Sequence, residues 1–255
     1  MTKLSVNVNK LATIRNARGK NTPDVAAAAR RILSWGAHGI TVHPRPDGRH
    51  IRTGDVTVLS AVVREHNAGS QAAAEYNIEG YPSADYLAMV AEIKPDQTTL
   101  VPDPPDALTS SAGWAVADNE KFLTSVVTDL KNAGVRVSIF IDPEKFGEKD
   151  YEALARVRPD RVELYTEAFA DSHGTPEGDR VVKLYAETSA RVRKLGIGLN
   201  AGHDLNQENL GTLIKAIPEI AEVSIGHALI CESLYDGLET TVKNYLRILE
   251  WRPSK

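Results

Sequence analysis

Gly134-Val135-Arg136-Val137-Ser138-Ile139-Phe140-Ile141-Asp142 is the stretch on which the fold turns. Its glycine follows a helix-like segment, where a left-handed C-cap is wanted. The β-branched run behind it predicts a strand over Val135–Asp142. Val137–Ile141 reads as apolar on both faces, the pattern of a strand buried on both sides of a parallel sheet. The same phrase recurs along the chain. Strands are predicted at Leu4–Asn9, Gly39–His43, Tyr76–Glu79, Thr98–Pro102, Arg161–Thr166, Gly196–Ala201 and Glu222–His227. Each is followed by a helical stretch long enough for a parallel crossover. Gly36 and Gly196 occupy the same helix-to-strand junction as Gly134. Thr22-Pro23-Asp24 offers an N-cap, a proline at the first helical position and an acid in the first turn. Leu234, Leu238, Val242, Tyr245 and Leu249 predict one apolar stripe on a final helix. Eight β/α units without a linker or repeat predict one (β/α)₈ (TIM) barrel over residues 1–255, with short extra helices.

Composition bounds the function. With 42% hydrophobic and 25% charged residues, the chain is an ordinary globular domain. Its core needs no disulfide or metal staple. Cys231 is the only cysteine, which excludes an intramolecular disulfide and fits a reducing compartment. It reads as inert, because no base stands beside it in the sequence. The net charge of −4 comes without a basic run, so nucleic acid is not an expected partner. No apolar run approaches the ~18 residues of a membrane span, and Met1–Asn9 lacks a signal-peptide core. A soluble cytoplasmic protein is expected, and anionic ligands would need local positive sites.

Such barrels carry their active sites at the C-terminal ends of the strands. His43, His203 and His227 fall at predicted strand ends, Glu79 closes strand three, and Asn7 and Asn9 lie near the end of strand one. Their convergence reads as a shared site rather than as separate structural residues. His50 follows in the loop after strand two, and Glu163 within strand six suits either a structural acid or a ligand contact. Arg15 and Arg18 after strand one, and Arg45, Arg49 and Arg52 after strand two, suit phosphate oxygens. Arg15 and Arg18 read equally well as surface salt bridges. Lys10 is either a solvated loop lysine or a phosphate or amine contact. Asn200-Ala201-Gly202-His203 and Ser224-Ile225-Gly226-His227 place small residues where backbone N–H groups can approach a phosphate. Two positive regions suggest two phosphates. The longest predicted loop, Asp103–Asp118, is a candidate for covering the substrate.

The runs Asn7–Gly19, Gly39–Arg45 with Arg49-His50-Ile51, Asn77-Ile78-Glu79, Leu100-Val101-Pro102, Asn200–His203 and Ile225-Gly226-His227 resemble the pyridoxine 5′-phosphate synthase family, in order and from first strand to last. The resemblance implies condensation of 1-deoxy-D-xylulose 5-phosphate with 3-amino-2-oxopropyl phosphate, giving pyridoxine 5′-phosphate, phosphate and water. It implies no metal or organic cofactor, and an octamer built from dimers. By motif, His43 and Glu79 would be general bases and His203 the general acid. Asn7 and Arg18 would contact the aminoketone phosphate, and Arg45, His50 and Thr109 the deoxyxylulose phosphate. Gly226 and His227 would bind a phosphate. Three departures stand out. Asn9-Lys10 replaces a common Asp-His pair that contacts the deoxyxylulose substrate. Asp204 replaces a glycine whose backbone N–H is a substrate contact, and Cys231-Glu232 stands where Gly-Arg is frequent. Two other readings stay open on residues alone. One is a metal-dependent sugar-phosphate epimerase or aldolase with His43, Glu79, His203 and His227 around the ion. The other is a barrel that only binds a phosphometabolite.

Overall fold

The computed structural model describes residues 1–70, 72–103 and 112–251. Eight parallel strands close in sequence order, with β8 returning to pair with β1. They are β1 (Lys3–Asn7), β2 (Gly39–Val42), β3 (Glu75–Gly80), β4 (Gln97–Leu100), β5 (Arg136–Ile141), β6 (Arg161–Tyr165), β7 (Gly198–Gly202) and β8 (Ile220–Ile225). The described helices are α1 (Asn9–Asn16), α2 (Val25–Ser34), α3 (Thr53–Gly69), α4 (Ala84–Ile93), α5 (Glu120–Asn132), α6 (Glu148–Val157), α7 (Glu167–Ser172), α8 (Gly178–Lys194), α9 (Leu210–Ala216), α10 (His227–Asp236) and α11 (Leu238–Leu249). The barrel predicted from sequence is present, with the short extra helices.

The strands are not apolar on both faces. Leu4, Val6, Ile40, Val42, Ile78, Leu100, Ile139, Leu164, Leu199 and Val223 are wholly buried against helix residues such as Leu59, Leu123, Leu154, Tyr185 and Tyr245. The alternate positions turn into the barrel lumen and are mostly polar. Thr99 on β4 donates to Glu163 on β6 at 3.2 Å, and Gln97 donates across the barrel to Glu222 on β8 at 3.3 Å. Ser5 and Thr41 share a hydrogen bond of 2.7 Å. Barrels of this type usually fill their lumen with branched aliphatic side chains. Here the lumen is a hydrogen-bonded polar layer, with a small apolar cluster of Val101, Phe140 and Tyr165. The expectation failed because burial of a polar face needs partners rather than carbon, and the lumen supplies them to most of its side chains, the Ser138 hydroxyl excepted.

Local signals explain most junctions. Gly36, Gly134 and Gly196 adopt φ of +101°, +82° and +79° at the predicted helix ends. The cap of α2 is Asp24 rather than Thr22; its carboxylate accepts from Ala27 N–H at 2.9 Å, leaving Pro23 outside the helix. The predicted final helix is two helices, broken at Gly237 with φ +79°. Val242, Tyr245 and Leu249 of α11 are buried, whereas Leu234 of α10 is 69% exposed and belongs to no common stripe. Several strand ends also shift. β1 stops at Asn7, so Asn9 opens α1, and β8 stops at Ile225, so His227 opens α10. β7 begins two residues later than predicted and includes Gly202.

Candidate active site

A cavity of about 600 Å³ opens at the C-terminal ends of the strands. Its lining includes Asn7, Asn9, Lys10, His43, Arg45, Arg49, His50, Glu79, Glu163, His203, Asp204, Gly226 and His227. Nearly all the residues singled out from the sequence therefore meet in one place. Arg18 does not: it is exposed just after α1 and outside the lining. Thr109 lies outside the described residues.

The floor is built by a relay of side-chain amides. Asn7 ends β1, accepts from Asn9 N–H at 3.0 Å through Oδ1, and donates to Glu79 Oε2 at 3.3 Å through Nδ2. Asn9 in turn accepts from His43 N–H at 3.0 Å. The two sequence-predicted bases are thus linked through strand one. Glu79 also receives Ser224 Oγ at 3.5 Å. Burial, and then the charge of Glu163, pushes the Glu79 carboxyl well above its ordinary range. Glu163 is raised too, by burial and by Glu222. Both buried carboxyls therefore favour the protonated form. Gly202 makes room for this acid, because a Cβ there would stand 2.3 Å from Glu163 Oε1.

His43 is buried, and its pKa is lowered to about 3, first by burial and then by Arg45, His50 and Arg49. It is a neutral imidazole at neutral pH, the form a base requires. A phosphate dianion on Arg45 would offset the guanidinium's repulsion and strengthen that base when substrate binds. His50 is pushed down to about 4 by burial, Arg45 and Lys10. Its Nδ1 accepts from Ile51 N–H at 3.0 Å, which leaves Nε2 as the N–H that donates.

The cationic side of the cavity holds Arg45 and Arg49. Arg45 is buried and lies 3.6 Å from the Asp103 carboxylate. Arg15, weighed as a phosphate contact or a surface bridge, is neither. It is 4% exposed and grips Asp55 with two bonds of 2.6 and 2.8 Å. With Asn16 it also holds the His50 carbonyl, so α1 clamps the loop that carries His50. Arg52 is an exposed residue whose backbone N–H donates to Asp55 as α3 begins. On the opposite side, Gly226 caps α10 and His227 begins it, so the first-turn N–H groups carry the positive end of the helix dipole. The first turn of α10 contains no acid. A Cβ on Gly226 would come 3.0 Å from the Asn7 side chain, so any larger residue there would press on Asn7.

His203 leaves β7 in a turn where it and Asp204 adopt φ of +84° and +58°. The ring of Tyr165 meets the His203 ring edge-on, with centroids 5.0 Å apart. Cys231 is exposed one helical turn beyond His227, its Sγ 3.6 Å from His227 Nε2. The base absent from its sequence neighbourhood is therefore present four residues back on the helix. Thr99, Asp103 and Glu167 also enter the cavity wall or its charge pattern without having been singled out from the sequence, and Ser224, read there only as a small residue, bonds Glu79. Strict alternation with the buried Leu100 and Val223 was the signal available for Thr99 and Ser224. Among the described residues, no group of three or more His, Cys, Asp or Glu comes together as metal ligands would, so the epimerase reading has no ligand set there. No described helix is long and apolar enough to cross a membrane.

Solved structures share the fold at low identity. A mutant tryptophan synthase α-subunit from Pyrococcus furiosus covers 98% of this chain and 100% of its own, with TM-score 0.62 and 15% identity. A monomeric form of phosphoribosylanthranilate isomerase from Thermotoga maritima covers 98% and 99%, with TM-score 0.59 and 13% identity. At those identities the likeness concerns the barrel alone. Curated relatives stand much nearer. A protein named pyridoxine 5′-phosphate synthase from Cytophaga hutchinsonii is 50% identical over 98% of this chain and 100% of its own length. One of the same name from Christiangramia forsetii is 48% identical over 98% and 100%. Residues 4–251 match the family described as pyridoxal phosphate biosynthesis protein PdxJ, and the chain belongs to that family.

Proposed function

We propose that this protein is a pyridoxine 5′-phosphate synthase, joining 1-deoxy-D-xylulose 5-phosphate to 3-amino-2-oxopropyl phosphate. The observation that carries the reading is the cavity at the C-terminal ends of the strands. It sets two histidines and two buried carboxyls between a guanidinium region and a helix N-terminus. Two positive regions on opposite sides of acid–base groups suit a pair of phosphorylated substrates.

The chemistry follows from the groups. Schiff-base formation, dehydration and ring closure each move a proton to or from carbon, nitrogen or oxygen. Neutral His43 accepts a proton from a bound substrate. The Glu79 carboxyl, pushed well above its ordinary range by burial and then by Glu163, holds a proton more readily than an ordinary glutamate and can pass it to substrate. His203 delivers a proton to the departing oxygen. Arg45, Arg49 and His50 hold one phosphate; Gly226 and His227 hold the other, with Asn7 beside them. Fixing both substrates by their phosphates makes the condensation effectively intramolecular, a gain of up to ~7–11 kcal/mol in ideal cases. Neither a metal nor an organic cofactor enters these steps. Arg18 and Thr109 are carried as phosphate contacts by the resemblance alone. A cytoplasmic octamer of four dimers completes the reading, and sedimentation measures that assembly.

Incubation with both phosphorylated substrates, followed by chromatographic detection of pyridoxine 5′-phosphate, tests the proposal directly. Product should form undiminished in the presence of a chelator, and free deoxyxylulose should react poorly. Absence of product with ligand binding intact would leave a phosphometabolite-binding barrel instead.

A further inference from the structure

The structure gives the Asp204 carboxylate a definite partner in the imidazole of His203. We infer that Asp204 is a positioning residue for His203: its carboxylate accepts from Nδ1–H, fixes that tautomer and the ring's orientation, and assigns proton exchange with substrate to Nε2. The inference rests on the proposed role of His203 as general acid.

Geometry carries it. Asp204 Oδ2 lies 2.5 Å from His203 Nδ1. The edge-on Tyr165 ring packs beside the imidazole, so it is held from two directions. The turn itself is pinned although both its residues have positive φ. The Thr166 hydroxyl reaches the carbonyls of Gly202, at 2.8 Å, and of His203, while Asn209 donates to the Asp204 carbonyl at 3.1 Å. A left-handed backbone at two successive non-glycine residues persists only where surrounding contacts over-determine it. The contact also settles an electrostatic conflict. A carboxylate near the Gly226-His227 turn would repel a bound phosphate, but this one is turned onto an imidazole. The hydrogen bond with His203 holds the Asp204 carboxyl below its usual range, so it stays an ionised acceptor. In the acid step the imidazolium gives its Nε2 proton to the departing oxygen and returns to the neutral Nδ1–H tautomer. The carboxylate remains ionised throughout.

The test combines spectroscopy and kinetics on the full-length protein. Long-range ¹H–¹⁵N spectra of ¹⁵N-histidine-labelled protein at alkaline pH, with the His203 signals assigned by His203→Gln, report the tautomer without substrate. An Nδ1–H ring with a far-downfield Nδ1 proton is expected. Asp204→Gly keeps the backbone N–H and relaxes the positive φ, so the fold should persist. It should move His203 toward the Nε2–H tautomer and lower kcat about tenfold, with both KM values within about twofold. Asp204→Asn keeps an acceptor oxygen and should restore the tautomer and most of kcat. An Nε2–H ring in the wild type, or unchanged kcat in Asp204→Gly, overturns the inference. The two readings fail separately. An Nδ1–H ring without any product condemns the synthase assignment, whereas product formed by a wild type with an Nε2–H ring condemns the Asp204 role.

Discussion

The two ends of the barrel lumen are built from the same kinds of side chain and do opposite things with them. At the N-terminal end, Glu75 is paired with both Lys3 and Arg136. Gln97 joins Arg136 at 3.0 Å to Asn200 at 3.2 Å and Glu222 at 3.3 Å, and Arg161 bonds Asn200 at 3.0 Å. Nearly every charge there meets an opposite charge or a dipole, and the cations keep the Glu75 carboxyl below its ordinary range even though burial raises it. At the C-terminal end, Glu79 and Glu163 face each other with only neutral donors, and His43 is buried beside guanidinium groups. The N-terminal end pairs Glu75 with two cations, although burial and Glu75 push the Glu222 carboxyl up; the C-terminal end keeps Glu79, Glu163 and His43 desolvated near like charges. The first arrangement favours stability, and the second favours proton transfer at neutral pH.

The largest effect should come from the C-terminal end. His43→Gln should lower kcat about 10²- to 10⁴-fold with little change in melting temperature, measured by steady-state product formation and calorimetry. A loss below tenfold would remove His43 from the chemistry. The N-terminal end should answer in the other currency. Glu75→Leu leaves Arg136 and Lys3 without their shared partner and should cost about 1–3 kcal/mol in denaturant unfolding, with kcat/KM unchanged. If turnover falls as far as stability, the two ends are not separable. Converting Asn9-Lys10 to Asp-His should leave turnover within about tenfold, or ~1.4 kcal/mol, if these residues only bind substrate. Because Asn9 also receives His43 N–H, a greater change would assign strand one to positioning the base.

The smallest effect concerns pH. The Glu163 carboxyl is raised in the folded state, so the native protein holds its proton to higher pH than the unfolded chain does. Stability from that source is full below the unfolded pKa and falls as pH rises through the folded one. Glu163→Gln should therefore raise stability by on the order of 1 kcal/mol at alkaline pH and by nothing in acid. Thermal melts across pH would show it; equal stabilisation at both extremes contradicts the desolvated carboxyl. His43 works in the opposite sense. Its lowered pKa means that stability is lost as pH falls from the ordinary imidazole range toward about 3.

The same contrast explains what the sequence could disclose. Strand order, closure and the glycine junctions were legible because each is written locally, as at Gly134 ahead of Val135. The histidines and Glu79 were legible because strand ends collect function in this fold. The Arg15–Asp55 clamp and the Gln97–Glu222 contact were not, since each joins residues that only barrel closure brings together. The polar lumen was hidden for a related reason. Ser138 and Thr99 look like minor interruptions of apolar strands until neighbouring strands reveal that they share a face. Arg18 shows the converse, a motif residue that the fold of one chain places outside the cavity.

A polar lumen also makes the dry core of this barrel a sleeve. Carbon packs between strands and helices, all the way round, and the axis inside it is held by hydrogen bonds. Mechanically the sleeve resembles a hoop: truncating Leu199 or Val223 opens a void under one helix and costs what large-to-small core changes cost, about 2–5 kcal/mol for leucine. The axis obeys a different rule, in which exchanging one hydrogen-bonding group for another of similar size leaves the hoop intact. For anyone redesigning this molecule, the outer layer bears the main load, and the inner one can be rewritten wherever each hydrogen-bonding partner is kept, as around Glu75 and Gln97.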